Sequence, residues 1–174
     1  MTPTLNCKLF LLWRPGAGGN FLQSLYTWKD IENVPCEIHN NLYDSTPLPS
    51  VAQIDTMNDI HSVEGANMIS AHNPSDFYLD NYNFKCEQAW AITISDLQTL
   101  QYVMDLRLKK IYGFAGKKTV KQRHLDEYNA IVDKVAKKID NLQRFDYNDI
   151  YVNRTVFPEW DKSIIQYHEK NLKL

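Results

Sequence analysis

The sequence is short of cysteine and glycine, and it lacks long apolar runs and a strong charge of either sign. Its 19 basic and 21 acidic side chains leave a net charge of -2, so no global field draws the chain onto nucleic acid or an anionic membrane. The three cysteines are widely spaced and form no CxxC pair, which predicts neither a disulfide framework nor a zinc site and favours a reducing compartment, the cytoplasm. The apolar stretch near the amino end is too short to span a bilayer.

The apolar residues that are present suffice for one core. Hydrophobic side chains make up 44% of the 174 residues and aromatic ones 12%, which predicts a single domain over residues 1–174. Apolar runs typical of buried strands alternate with helical patterns along the chain. This alternation predicts a three-layer, P-loop-like α/β domain in which helices flank a mostly parallel sheet.

Hydrophobic periodicity and capping residues predict where the elements lie. The predicted strands are 8–13, 36–39, 67–71 and 90–94, with a short strand or turn at 145–152. The predicted helices are 21–28, 51–61, 97–112 and 120–142, with a last helix from about 158. Ser95 and Asp96 are the predicted caps of the helix that begins at 97.

Half of the glycines stand together, directly after the first predicted strand. Gly16, Gly18 and Gly19 are three of only six in the chain, and a helix follows them. Such a turn exposes backbone N–H groups at the positive end of a helix dipole, which predicts an anion site and favours phosphate. The loop contains no lysine, which disfavours an ATP or GTP hydrolase. A tight turn that serves only close packing is the alternative.

Basic side chains concentrate later in the chain, between residues 107 and 123, where no Asp or Glu interrupts them. The middle of this stretch, YGFAGKKT (112–119), has glycines, two aromatic rings and the adjacent Lys117 and Lys118. We expect a lid over a nucleotide there, with cations for phosphate and a ring for stacking. The alternative is a solvated helix end followed by a loop. Nucleic acid is disfavoured as a partner, because no known binding motif accompanies the patch.

Three segments together resemble one enzyme family. PGAGGNFL (15–22) is similar to the phosphate-binding loop of the sulfotransferases that use 3'-phosphoadenosine 5'-phosphosulfate (PAPS). ISAHNPSDF (69–77) and FDYNDIYVN (145–153) resemble, in the same order, the family's Thr-His-x-Pro-like turn and its Tyr-Glu-Asp-Leu segment. The chain is short for this family, and its size is similar to that of the compact sulfotransferase-like proteins of bacteriophages.

The resemblance implies PAPS as the cofactor and sulfuryl transfer to a hydroxyl or amine acceptor. It implies that the 5'-phosphosulfate is held by Gly16, Ala17, Gly18, Gly19 and Asn20. Gly16 stands where the family has a basic residue, and Arg14 is the cation that could replace it. The segment SDLQ (95–98) stands in place of the family's Arg-Asp-Pro. Lys117 and Lys118 are then the expected contacts of the 3'-phosphate.

His72 is the candidate catalytic base. It follows a predicted strand and precedes Asn73-Pro74, so we expect it at the edge of the sheet that carries the glycine loop. Imidazole titrates near neutrality, which suits removal of a proton from the acceptor. The alternative is that its ring nitrogens only cap a turn. His39, which ends another predicted strand, is a rival base or substrate contact.

Two other functions stay open. A P-loop-like domain can lose its cofactor residues, keep its fold and act as a binding or inhibitory protein. A divergent nucleotide kinase is the third possibility. No pair or triplet of side chains has the spacing of a metal site.

Overall fold

A five-stranded parallel sheet forms the centre of the protein, whose computed structural model describes residues 1–34, 51–54, 67–113 and 119–172. The strands are β1 (Thr4–Leu12), β2 (Val51–Gln53), β3 (Met68–Ala71), β4 (Asn83–Thr93) and β5 (Leu142–Asp146). Their order across the sheet is β2-β3-β1-β4-β5, and every neighbouring pair is parallel. The glycine loop therefore follows the central strand.

Helices cover both faces of the sheet. They are α1 (Gly19–Trp28), α2 (Asp76–Asn81), α3 (Leu97–Tyr112), α4 (Gln122–Ala136), α5 (Tyr147–Tyr151) and α6 (Asp161–Leu172), with 3-10 turns at Ile31–Asn33 and Pro158–Trp160. None of these described helices combines the length and the apolarity that crossing a membrane requires. The predicted fold class, a three-layer α/β domain with helices flanking a parallel sheet, is confirmed.

Alternation along β1 divides the core into two parts. Leu9 and Leu11 face one part, which contains side chains of α1, α3, α5 and α6. Phe10 and Leu12 face the other part, which contains side chains of α2 and α4. The central strand is therefore covered on both faces, which explains why its sequence is a continuous apolar run rather than an alternating one.

Several predicted elements are confirmed, and others differ in extent. Asp96 caps α3 as expected, since its carboxylate accepts a 2.8 Å hydrogen bond from the Thr99 N–H. The predicted strand 90–94 is the apolar end of the longer β4, whose first half alternates with polar residues. The predicted helix 120–142 ends at Ala136, because the chain turns there and Leu142 pairs with Ala89 as the start of β5. The segment after β5 is the short helix α5, capped by Asp146.

The prediction of a helix over 51–61 is wrong at its start. Val51–Gln53 forms β2, which pairs with Met68–Ser70 of β3. The local pattern is compatible with a helix, but pairing with β3 stabilises a strand instead. A short window of sequence around residue 51 does not contain β3 and so does not predict this pairing. Residues 55–61 of that predicted helix and the predicted strand 36–39 lie outside the described residues.

The expectation that no disulfide forms is also wrong. Cys7 of β1 and Cys86 of β4 are directly opposite in the parallel register, with Cα atoms 4.7 Å apart, and their sulfurs are bonded. The 79 residues that separate them in sequence conceal this proximity. Spacing alone therefore did not predict the pair, because the two strands become neighbours only in the folded sheet.

The helix α1 buries the polar side chain of Gln23. It is 0% exposed, and neither its Nε2 nor its Oε1 forms a hydrogen bond with any residue that the structure describes. Leaving such a group unsatisfied costs about 1–3 kcal/mol, and an apolar side chain of similar shape avoids that cost.

We expect Gln23→Met to raise the free energy of unfolding in a denaturant titration. The matched variant Gln166→Met, on the exposed side of α6, should change it by less than about 0.5 kcal/mol. A loss of stability in Gln23→Met would contradict this reading.

Candidate functional site

The glycine loop lies where the connections of two neighbouring strands diverge. From β1 the chain leads to β2 on one side of the sheet, and from the adjacent β4 it leads to β5 on the other side. Open parallel sheets form a ligand-binding crevice at such a point, outside the carboxyl ends of the strands. The loop after β1 and the start of α3 after β4 follow the carboxyl ends of these two strands, which is the position where such a crevice is expected.

Two glycines of the loop adopt backbone conformations that other residues avoid. Gly16 has φ of 100° and Gly18 has φ of 75°, both in the left-handed region. A 2.9 Å bond from the Ala17 N–H to the Arg14 carbonyl closes the turn, and Gly18 is the N-cap of α1. The sequence therefore needs glycine at these two positions to pass from a strand into a helix within a few residues.

Protein atoms also surround the loop closely. A Cβ at Gly16 would overlap the Val103 carbonyl, one at Gly18 the Tyr151 hydroxyl, and one at Gly19 the Trp13 ring. The three positions thus pack against α3, α5 and the end of β1. The Tyr151 hydroxyl donates a 3.2 Å hydrogen bond to the Gly18 carbonyl and so holds the loop against α5. Close packing accounts for these glycines, and Ala17 and Asn20 are buried beside them.

Arg14 places a positive charge at the start of the glycine loop. It is half-buried, its Nε is buried without a partner, and it forms no ion pair with a carboxylate among the described residues. Its Nη2 lies 3.7 Å from the Met104 sulfur, and its guanidinium carbon lies 5.8 Å from the centre of the Tyr128 ring. Burial lowers the pKa of Arg14 and the charge of Arg107 on α3 lowers it further, while the Glu127 carboxylate on α4 partly opposes both effects.

His72 lies at the carboxyl end of β3, as predicted, and is partly buried. Its ring meets the Trp13 indole edge to face, with centroids 4.2 Å apart and planes at 78°. Since the same indole packs on Gly19, the structure brings His72 and the glycine loop to one edge of the sheet. Of the aromatic residues after His72, Tyr78 and Tyr82 are buried in the core, and Phe77 and Phe84 are partly buried against it.

A polar network joins the start of α3, which follows β4, to α5, which follows β5. Asp96 accepts hydrogen bonds from the Thr99 N–H and hydroxyl, each 2.8 Å long. Asn148 of α5 donates to the Thr99 hydroxyl at 2.9 Å and reaches the Asp96 carboxylate at 3.4 Å. The hydrogen bonds from Thr99 hold the pKa of Asp96 below its usual value. Asp96 therefore stays ionised as a helix cap, which makes it a poor proton donor at neutral pH.

The structure leaves some predicted site residues outside its described part. Lys117, Lys118 and His39 are all in this group, so their predicted roles stay predictions. Across residues 1–34, 51–54, 67–113 and 119–172, no three metal-binding side chains come together.

The sequence did not predict the contacts of Trp13 and Tyr151 with the glycine loop. Tyr151 lies in the segment 145–153 that resembles the sulfotransferase family, so the sequence indicated that this segment matters but not that it contacts the loop.

Comparisons of the chain with protein-family models, with curated proteins and with solved structures found no match.

Proposed function

We propose that the protein is a sulfotransferase-like enzyme that transfers a sulfuryl group from PAPS to a hydroxyl or amine acceptor. In this proposal Arg14 and the loop from Gly16 to Asn20 bind the 5'-phosphosulfate, and His72 removes the acceptor's proton. The observation that carries the proposal is the half-buried Arg14 after the central strand, whose Nε is buried without a hydrogen-bond partner and whose charge has no ion pair among the described residues.

The energetics of Arg14 favour an anionic ligand. Partial removal of this cation from water costs free energy and Arg107 adds repulsion, of which the attraction of Glu127 offsets only a part. An oxyanion beside Arg14 would offset both costs and would supply the missing acceptor for the Nε–H. The position at the end of the central strand is also the one at which parallel α/β sheets bind phosphate.

The proposed chemistry needs few catalytic groups. PAPS, when bound, supplies an activated sulfuryl group and a phosphate that leaves with negative charge. Arg14 and the positive end of α1 would stabilise that charge, and proton removal at the His72 imidazole would make the acceptor a better nucleophile. Lys117 and Lys118 are the proposed contacts of the 3'-phosphate.

One observation favours a second function, that of a non-catalytic P-loop-like binding protein. Protein atoms occupy the space beside Gly16, Gly18 and Gly19, so close packing explains these glycines without a phosphate. On this reading the fold and the loop persist while the crevice binds no nucleotide.

The cytoplasm is the proposed location of the activity. Cellular thiols keep most cysteines reduced there, so the Cys7–Cys86 bond would be open for much of the time. Alkylation of thiols in intact cells, followed by mass spectrometry of the protein, measures the fraction that is bonded. A fully bonded pair would argue for an oxidising compartment.

The binding step is tested with adenosine 3',5'-bisphosphate in titration calorimetry. We expect the wild type to bind it, and to gain about 2.7 kcal/mol of stability at a hundred times the dissociation constant. Arg14→Met keeps the apolar stem but removes the charge, so binding should weaken about ten- to a hundredfold. Without ligand the variant should be no less stable than the wild type, because an unpaired charge has been removed.

Arg144→Met is the matched control, since Arg144 is exposed on β5 and pairs with Asp133 at 2.9 Å. It should bind the bisphosphate like the wild type. Equal affinity of the Arg14→Met protein would remove Arg14 from the site. Binding of ATP with Mg²⁺ instead of the bisphosphate would favour a kinase, and binding of neither nucleotide would favour the non-catalytic protein.

A further inference from the structure

The indole of Trp13 contacts three parts of the candidate site at once. Its ring packs on the backbone of Gly19 so closely that no Cβ fits there. Its edge-to-face contact with His72 has a centroid distance of 4.2 Å. Its Nε1–H donates a 2.8 Å hydrogen bond to the hydroxyl of Ser70. Trp13 is therefore a common neighbour of Gly19 in α1, Ser70 in β3 and His72 at the end of β3.

The indole is held firmly in this position. Trp13 is only 6% exposed and Ser70 only 1%, so no water competes for the hydrogen bond between them. The Trp13 backbone N–H also donates to the Ala71 carbonyl at 2.9 Å, which fixes the chain next to β3. Packed interiors transmit a displacement of one side chain to its neighbours, because there is little free volume to absorb it.

We infer that Trp13 is a positioning residue that sets the orientation of the His72 imidazole relative to the glycine loop. Gly19 is glycine because the indole occupies the space of its side chain, and the same indole borders the His72 ring. A ligand that shifts the loop must therefore shift Trp13 and, through it, His72. The part of this inference that concerns proton removal rests on the proposed function, whereas the coupling itself does not.

Nuclear magnetic resonance of the histidine rings tests the coupling in the ligand-free protein. The chain has five histidines, and the signals of His72 are identified by their absence in the His72→Asn protein. Gly19→Ala adds a methyl group that overlaps the Trp13 ring, which contacts the His72 ring, so we expect the His72 ring signals to move. Gly113→Ala is the control: its φ of 69° strains the backbone of an alanine, but a Cβ there meets no atom within 4 Å, so the variant shows whether strain at a glycine by itself moves the signals. It should leave the His72 signals in place.

Trp13→Phe provides a second variant in case Gly19→Ala does not fold. It keeps an aromatic ring and loses the N–H that bonds to Ser70, so the His72 signals should again move. In an active enzyme, Trp13→Phe should lower kcat about tenfold or more while KM for PAPS stays within about twofold.

Unchanged His72 signals in a folded Gly19→Ala or Trp13→Phe protein would overturn the inference. Equal losses in kcat and in affinity would also overturn it, because they would indicate a structural role only. If the wild type binds no nucleotide, the proposed function fails, but the ring signals still decide whether Trp13 positions His72.

Discussion

Reduction of the Cys7–Cys86 disulfide is expected to lower the free energy of unfolding by about 4 kcal/mol. The bond closes a loop between residues 79 apart in sequence, and opening it returns that loop-closure entropy to the unfolded chain. For a protein of this size, a loss of that order lowers Tm by about 10 °C. Thermal unfolding followed by circular dichroism, with and without a phosphine reductant, measures the change.

Cys86→Ser separates the crosslink from other effects of the reductant. Cys86 is the less buried partner, so serine is tolerated there better than at Cys7. The variant should melt near the temperature of the reduced wild type, and the reductant should not change its Tm further. If the reductant leaves the wild-type Tm unchanged, the two sulfurs are not bonded in solution.

His72→Asn is expected to reduce sulfuryl transfer about a hundred- to ten-thousandfold, the usual contribution of general-base catalysis. Asparagine retains a similar shape and some hydrogen bonding but has no titratable base. Nucleotide affinity should stay nearly level, because Arg14 and the loop, rather than His72, are the proposed phosphate contacts. Initial rates at saturating PAPS, together with calorimetry of the bisphosphate, measure the two quantities separately.

His124→Asn is the control for this experiment. His124 accepts a 2.9 Å hydrogen bond from the Lys121 N–H at the start of α4, which is a local helix-capping contact. Its replacement should leave the rate within about twofold. A parallel fall of rate, affinity and Tm in the His72→Asn protein would assign His72 a structural role, and His39 would then be the next candidate.

The sequence predicted those parts of the fold that depend on neighbouring residues. The apolar run of β1 and the glycines after it predicted a buried strand that turns into a helix, and the positive φ angles of Gly16 and Gly18 confirm the turn. Asp96 was predicted as the cap of α3, because a cap requires only residues three or four apart. His72 was predicted at the carboxyl end of a strand for the same local reason.

Contacts between distant residues were decided only by the tertiary structure. The pairing of β2 with β3 replaced a predicted helix, and the register of β1 with β4 placed Cys7 opposite Cys86. Val103 and Tyr151 fill the space beside Gly16 and Gly18 from elements that are far along the chain from the loop. A sequence window records which residues can form a strand, a turn or a cap. Which strands become neighbours, and which side chains close around a loop, depends on how all the elements pack together.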